Sequence, residues 1–397
     1  MPTFDTVVVV GASLAGLRAV QTLRREGHTG RIVLVGAERH WPPYDRPPLS
    51  KQVLTGTWEP EKARLRVDDS FSADLILGRR AVGLDLEARQ VALDDGTLLD
   101  FDGLVVATGA SARTLPGTES TAGVHVLRTM DDCSVLKREF GAARRVAVVG
   151  AGFIGSEAAS SCRSLGLDVT VIEALSLPLV RVLGPQMGEF AAALQRKNGV
   201  DLRLGVGVEA IEGDGRVERV RLSDGTSVEA DVVVVGIGVV PETGWLAGSG
   251  LEIGDGLICD ERCVATGSDG RVVAAGDVAR WTNPFFGVSM RIEHWTNASD
   301  QAAHAARALL HGGDVAGPFA PIPYFWSDQF GTKLQFVGTS ASTDEVVVVE
   351  GSIDDAKFFA AYVRDGVLVG ALCVNWPART VPWRKSIEAR ESPPTTA

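Results

Sequence analysis

Redox-active cysteine pairs are missing from this chain. Its 397 residues include five cysteines, at 133, 162, 259, 263 and 373, and no two of them stand in a Cys-x-x-Cys relation. A protein that shuttles electrons through its own disulfide needs such a pair or Cys-x4-Cys. Cys259 and Cys263 are four apart in a stretch that reads as strand and turn, so they are expected to be structural and thiol–disulfide exchange is not expected. Four cysteines at iron–sulfur spacing are also lacking, and the six histidines show no ligand spacing with cysteines. No resident metal or cluster is expected. Basic charge is short: 39 Lys and Arg against 50 Asp and Glu leave −11, with no basic stripe. Nucleic acid is therefore excluded as a partner. Long apolar runs are absent too. The most apolar, Val232–Val240, has nine residues and two glycines, against the roughly 20 of a membrane span. The first residues carry no basic, apolar, cleavable leader. A cytoplasmic protein with reduced thiols and no membrane contact is expected.

What the chain does have is a repeat. Thr6–Val10 is an apolar strand followed by Gly11-Ala-Ser13-Leu-Ala15-Gly16, and Arg145–Val149 is followed by Gly150-Ala-Gly152-Phe153-Ile154-Gly155. Each loop precedes a helical stretch and then a second apolar strand ending in glutamate, Glu38 or Glu173. The later halves match as well: Asp94-Asp-Gly96 with Ser223-Asp-Gly225, Asp102 with Asp231, and Ala107-Thr108-Gly109 with Gly236-Ile-Gly238. Two copies of one Rossmann-like fold are expected. The remaining chain reads as a strand at 271–277, a helix near 300–310, and strands at 333–338, 345–350, 357–364 and 367–374. The last two strands are joined by the hairpin dipeptide Asp365-Gly366.

A glycine loop between strand and helix turns backbone N–H groups and the positive helix end toward a pyrophosphate. An acid at the end of the next strand accepts from ribose hydroxyls. The second loop carries the full Gly150, Gly152, Gly155 fingerprint; in the first, Ser13 replaces the middle glycine. A carboxylate at Glu173 suits a free ribose hydroxyl and repels the 2′-phosphate of NADP, so NADH is preferred. Glu38 suits the adenosine ribose of FAD or NAD.

Two such folds with Ala107-Thr108-Gly109 and Ala274-Ala-Gly276-Asp277 resemble the two-dinucleotide flavoprotein reductases. Pro43-Tyr-Asp-Arg-Pro-Pro-Leu-Ser-Lys51, Glu293-His-Trp-Thr-Asn297 and Tyr324-Phe-Trp-Ser-Asp-Gln329 narrow the resemblance to the oxygenase-coupled, FAD-dependent NADH:ferredoxin reductases, in order along essentially the whole chain. This resemblance implies a glutathione-reductase-like α/β architecture. Residues 1–112 and 241–320 would form the FAD-binding domain, 113–240 an inserted NAD-binding domain, 321–390 a C-terminal α+β domain whose antiparallel sheet is covered by a helix, and 391–397 a flexible tail. It implies FAD as cofactor and a [2Fe–2S] ferredoxin as partner, which would supply a haem-thiolate monooxygenase or a dioxygenase. The protein would be a monomer or weak homodimer. Rubredoxin as carrier, or a redox-responsive flavoprotein acting through partners, are the alternatives.

The resemblance also assigns residues. Lys51 stands by the flavin ring, and Glu157 by the nicotinamide, able to pair with Lys51. Trp326 lies near the flavin on the ferredoxin side. Asp277 binds the ribityl chain, Arg128 contacts FAD, the backbone of Val82 receives the adenine, and Trp295 lies beside the isoalloxazine. Arg46, Gly276 and Glu293 join the FAD set through the same motifs, and Arg181 joins the NAD set. Plainer readings stand beside these: Lys51 as a solvated helix charge, Glu157 as a first-turn carboxylate on a helix dipole, Asp277 as a helix N-cap, and the tryptophans as core. Thr129–Asp132 has capping-box spacing. The single cysteine of peroxide-reducing relatives is missing, since Arg39–Leu54 holds none. Docking of an acidic ferredoxin onto an acidic chain needs a local basic surface, with Arg291, Arg379, Arg384 and Lys385 as candidates.

Overall fold

The computed structural model describes residues 4–392 and leaves the Arg379 side chain aside. The chain gathers into two units, one of residues 4–45, 64–111 and 240–323, the other of 46–63, 112–239 and 324–392.

The first unit is built on a five-stranded parallel sheet in the order Val272–Ala274, Gly103–Val106, Thr6–Val10, Arg31–Gly36, Asp74–Leu77. Its central strands are continuous valine, isoleucine and leucine because helices cover parallel sheets on both faces. Val7, Val8 and Val9 have no exposed surface. Helices Leu14–Arg25 and Trp295–His311 pack together. The latter starts five residues before the expected 300, since Trp295 itself opens it.

The second unit repeats the theme: Asp201–Leu204, Asp168–Glu173, Arg145–Val149, Val232–Val235, Val124–Val126, all parallel. Thr129 and Asp132 do form a capping box at the start of helix Met130–Phe140. The same unit holds a five-stranded antiparallel sheet in the order Tyr324–Gln329, Thr332–Gly338, Val367–Val374, Lys357–Arg364, Glu345–Ser352, packed by helix Thr380–Glu388. Asp365 and Gly366 turn with φ of 51° and 76°, the left-handed pair a type I′ hairpin requires. One core joins this sheet to helix Val180–Lys197: Leu183, Met187 and Phe190 pack with Phe336, Phe358 and Leu372, and the Tyr362 hydroxyl donates to the Leu183 carbonyl at 2.7 Å. The C-terminal sheet thus clusters with the second dinucleotide fold. Segment 46–63, expected with the first fold, also clusters there, because Cys133 donates to the Leu49 carbonyl and Ser161 to that of Ser50.

Candidate cofactor sites

The first glycine loop is closed by its own backbone. A Cβ on Gly11 would stand 2.0 Å from the Ala107 carbonyl oxygen, and one on Gly16 would stand 1.8 Å from that of Gly11. Ser13 begins the helix without a side-chain cap, and Ala15 is buried behind it. Glu38 accepts from the Tyr44 hydroxyl. Thr108 donates to the Glu242 carbonyl at 2.8 Å, and Gly109 accepts from the Glu242 N–H at 3.0 Å. Gly276, at φ +79°, donates to the Gln301 amide oxygen at 2.9 Å. Asp277 follows it into a turn and then strand Ala279–Asn283. No helix starts there, so the N-cap reading falls. Val82 is 55% exposed on the surface strand Ala81–Asp85. Trp295 donates to Asp45 at 2.6 Å, and burial pushes the Asp45 carboxyl above its usual range despite that bond. Two glycines that admit no side chain, at 11 and 16, with a helix start left uncapped by Ser13 and an acid at the end of the next strand, Glu38, fit a dinucleotide.

The second loop is closed at its ends in the same way and open in its middle. Cβ atoms on Gly150 and Gly155 would stand 2.4 Å and 2.0 Å from the carbonyl oxygens of Gly236 and Gly150. Gly152 begins its helix with nothing within 4 Å of its Cβ position. Ile154 is exposed, and Phe153 lies against Phe325 at 4.6 Å between ring centres. The Glu173 carboxylate accepts from the Ala151 N–H at 2.7 Å and the Leu175 N–H at 2.9 Å. Gly238 and Arg181 are exposed. Free space at Gly152, which has neither a positive φ nor a crowded Cβ position, fits a pyrophosphate approaching the backbone.

Behind this loop lies a charged network. Glu157 is the fifth residue of helix Phe153–Ser164 and only 3% exposed. It is neither in the first turn nor solvated, so the helix-dipole reading falls. Its Oε1 accepts from Lys51 Nζ at 3.0 Å, Ser327 Oγ at 2.6 Å and the Asp328 N–H at 3.2 Å. Its Oε2 accepts from Ser50 Oγ at 2.5 Å. The Lys51 side chain is 11% exposed and also lies 3.7 Å from Asp328, so it is no solvated helix charge. Nearby Arg46 donates to the Arg128 carbonyl at 2.6 Å. Trp326 is half-buried, its ring 6.1 Å from that of Tyr324.

Sequence reasoning missed Ser50, Ser327, Asp328 and Gln329. The signal was the alternation in Tyr324–Gln329, where Ser327 and Gln329 point inward among buried neighbours. One docking candidate is overturned: the Arg291 side chain is 10% exposed and bound to Asp255 and Glu293, because its strand end faces carboxylates rather than solvent. Arg384 pairs with Glu388, and the Arg379 side chain lies outside the described residues. All five cysteines are buried and none is in a disulfide. Burial pushes the thiols of Cys133 and Cys162 up to about 11 and about 12.

Residues 5–302 match the family model described as pyridine nucleotide-disulphide oxidoreductase, and residues 324–397 match that described as reductase C-terminal. The chain belongs to this oxidoreductase family. Within it, rhodocoxin reductase of Rhodococcus erythropolis is 37% identical over 98% of this chain and 91% of its own length. The benzene 1,2-dioxygenase system ferredoxin–NAD(+) reductase subunit of Pseudomonas putida is 35% identical over 97% and 92%. Among solved structures, the ferredoxin reductase for the CYP199A2 system from Rhodopseudomonas palustris superposes with a TM-score of 0.92 at 37% identity, covering 98% of this chain and 96% of that one. The reductase in the covalent putidaredoxin reductase–putidaredoxin complex does so with a TM-score of 0.91 at 33% identity, covering 97% and 93%. All four are named reductases, and the chain shares the two-Rossmann architecture and the C-terminal domain of the two solved ones. Among the described residues, no helix of this oxidoreductase is long and apolar enough to cross a membrane.

Proposed function

We propose that this oxidoreductase takes electrons from NADH and passes them singly to a [2Fe–2S] ferredoxin, which supplies a haem-thiolate monooxygenase or a ring-hydroxylating dioxygenase. The observation that carries the reading is the nearly full-length match to such reductases, C-terminal sheet included. The buried cysteines, none of them in a disulfide, agree with it. Thiols outside any disulfide also support a cytoplasmic setting.

The first loop, with Gly11, Ser13 and Gly16, would hold the pyrophosphate of FAD, Glu38 its ribose and Asp277 its ribityl chain. Residues 113–240 would serve NADH: the Gly150–Gly155 loop takes its pyrophosphate, and Glu173 accepts from its ribose. FAD, when bound, supplies the change from a two-electron donor to a one-electron acceptor. The protein orients both cofactors and sets the charge around them. Glu157, held from four sides, keeps the Lys51 cation in a nearly dry pocket, where a charge acts over a longer range than in water. Arg384 and Lys385 remain our candidates for the ferredoxin-docking surface.

NADH-driven reduction of cytochrome c by the purified flavoprotein, with and without a [2Fe–2S] ferredoxin, tests this. Strong dependence on ferredoxin is expected, with NADPH a poor donor. Equal NADH consumption without the carrier, with oxygen disappearing in step, would make the protein an oxidase and end the reading.

A further inference from the structure

The Glu157 network contains more donors than an ion pair requires. Lys51 alone would neutralise the carboxylate, yet Oε1 also receives the Ser327 hydroxyl and the Asp328 N–H. Ser327 has no exposed surface, and neither has Gln329 behind it. The Gln329 amide donates to Ser327 Oγ at 3.0 Å. The Ser327 oxygen accepts from Gln329 while its proton goes to Glu157. The order Gln329 to Ser327 to Glu157 is thus a directed relay of dipoles whose positive ends face the carboxylate.

The rest of the charge count is balanced. Lys51 lies between Glu157 and Asp328, and Lys333 donates to the other oxygen of Asp328 at 3.3 Å. Two ammonium groups face two carboxylates. Ser50 donates to Oε2 at 2.5 Å, leaving that oxygen with one partner where Oε1 has three. The donors from Ser327 and Asp328 are therefore an excess of positive dipole on a pair already neutral. All these groups belong to the unit that carries the second glycine loop, and Glu157 stands on the helix that loop begins.

We propose that Ser327 is a positioning residue that, with Gln329, over-compensates the Glu157 charge so that the oxidised, positively charged nicotinamide is held weakly and leaves. The inference rests on the reading that the second loop binds NADH with its nicotinamide toward Glu157. The two nicotinamide forms differ by one positive charge on the ring. A buried carboxylate with less compensation attracts the oxidised form selectively, and the low local dielectric carries that effect to the ring. The C-terminal strand Tyr324–Gln329 would in this way set product release in a fold whose glycine loop it does not belong to.

Titration calorimetry of the oxidised FAD-loaded protein with NAD+ and with ADP-ribose tests this without turnover. ADP-ribose carries the adenosine and pyrophosphate but no nicotinamide. In Ser327→Ala the Kd for NAD+ should fall about fivefold, the scale of a partial charge at an effective dielectric near 20, while that for ADP-ribose stays as it was. Ser327→Thr, which keeps the hydroxyl, should behave as the parent protein. Gln329→Met, which frees the Ser327 proton to turn away, should shift NAD+ in the same direction by less, and it serves if Ser327→Ala does not fold. Equal shifts for both ligands, or none, would reduce Ser327 to packing and overturn the inference alone. A parent protein that binds neither ligand would overturn the cofactor assignment as well.

Discussion

The two dinucleotide folds agree to the level of single hydrogen bonds and differ where a ligand would enter. In both, the first glycine N–H donates to the end of the neighbouring strand at 2.8 Å, Gly11 to Val35 and Gly150 to Ile172. In both, an aspartate accepts from two N–H groups that open the first strand, Asp102 from Asp5 and Thr6, Asp231 from Arg144 and Arg145. The outer glycines meet backbone oxygens in each copy. The middle position is serine in one copy and glycine with open space in the other. Shared features are therefore those the backbone needs to close the loop. The differing ones bear on which cofactor comes.

Substitutions at these positions should separate the two classes. Gly150→Ala puts a methyl 2.4 Å from a carbonyl oxygen in a residue at φ +97°. It should cost more than about 3 kcal/mol and lower the melting temperature steeply. Gly11→Ala should do the same in the first fold. Gly152→Ala, at φ −73° with nothing within 4 Å, should change stability by no more than about 0.5 kcal/mol yet weaken NADH binding. Thermal unfolding and calorimetry read the two effects apart. A Gly152→Ala protein as unstable as Gly150→Ala would erase the distinction.

The acids sharpen the comparison at a smaller scale. Glu173 braces its own glycine loop through the Ala151 N–H, whereas Glu38 accepts from the Tyr44 hydroxyl. On the proposed cofactor assignment, Glu173→Gln keeps the shape but loses a charge-assisted bond to a ribose hydroxyl, worth about 1.5 kcal/mol or roughly tenfold in affinity. The kcat/KM ratio of NADH to NADPH should fall by about that factor. Glu38→Gln should leave the ratio unchanged. A change produced by Glu38→Gln instead would exchange the roles of the two folds.

Both glycine loops, the capping box at Thr129 and the Asp365-Gly366 hairpin were legible because each rests on residues within a few positions of one another, where spacing alone sets geometry. The four strands between 332 and 374 were legible by alternation and turn residues. The surroundings of Glu157 were not. Its partners are Ser50 and Lys51, 107 and 106 residues away, and Ser327 and Asp328, 170 and 171 away. Nothing in a local pattern says which distant strand will supply a donor. A buried serine and glutamine in Tyr324–Gln329 announce that some partner exists without naming it. Arg291 misled for the converse reason: a cation in an acidic chain reads as exposed until its carboxylates are seen.

The smallest difference between the folds is electrostatic. Arg145 donates to Asp231 at 2.8 Å, and that bond, helped by the two backbone N–H groups, lowers the Asp231 carboxyl to about 2. The matching pair in the first fold is Thr6 and Asp102, where the nearby cation, Arg271, donates to the Asp102 backbone carbonyl at 3.4 Å. A carboxylate depressed in the folded state stabilises above its unfolded value near 4, and the gain is lost as pH falls toward 2. The pair is about one-third exposed, with side chains 43% and 32% accessible. After screening, about 1 kcal/mol remains at neutral pH. Asp231→Asn should lower stability by about that amount at pH 7 and by less at pH 3, read from denaturant midpoints across that range. Thr6→Arg should install the same acid-sensitive increment in the first fold. If Asp231→Asn costs the same at both pH values, the loss is not one of charge, and the ion pair adds nothing that distinguishes the copies.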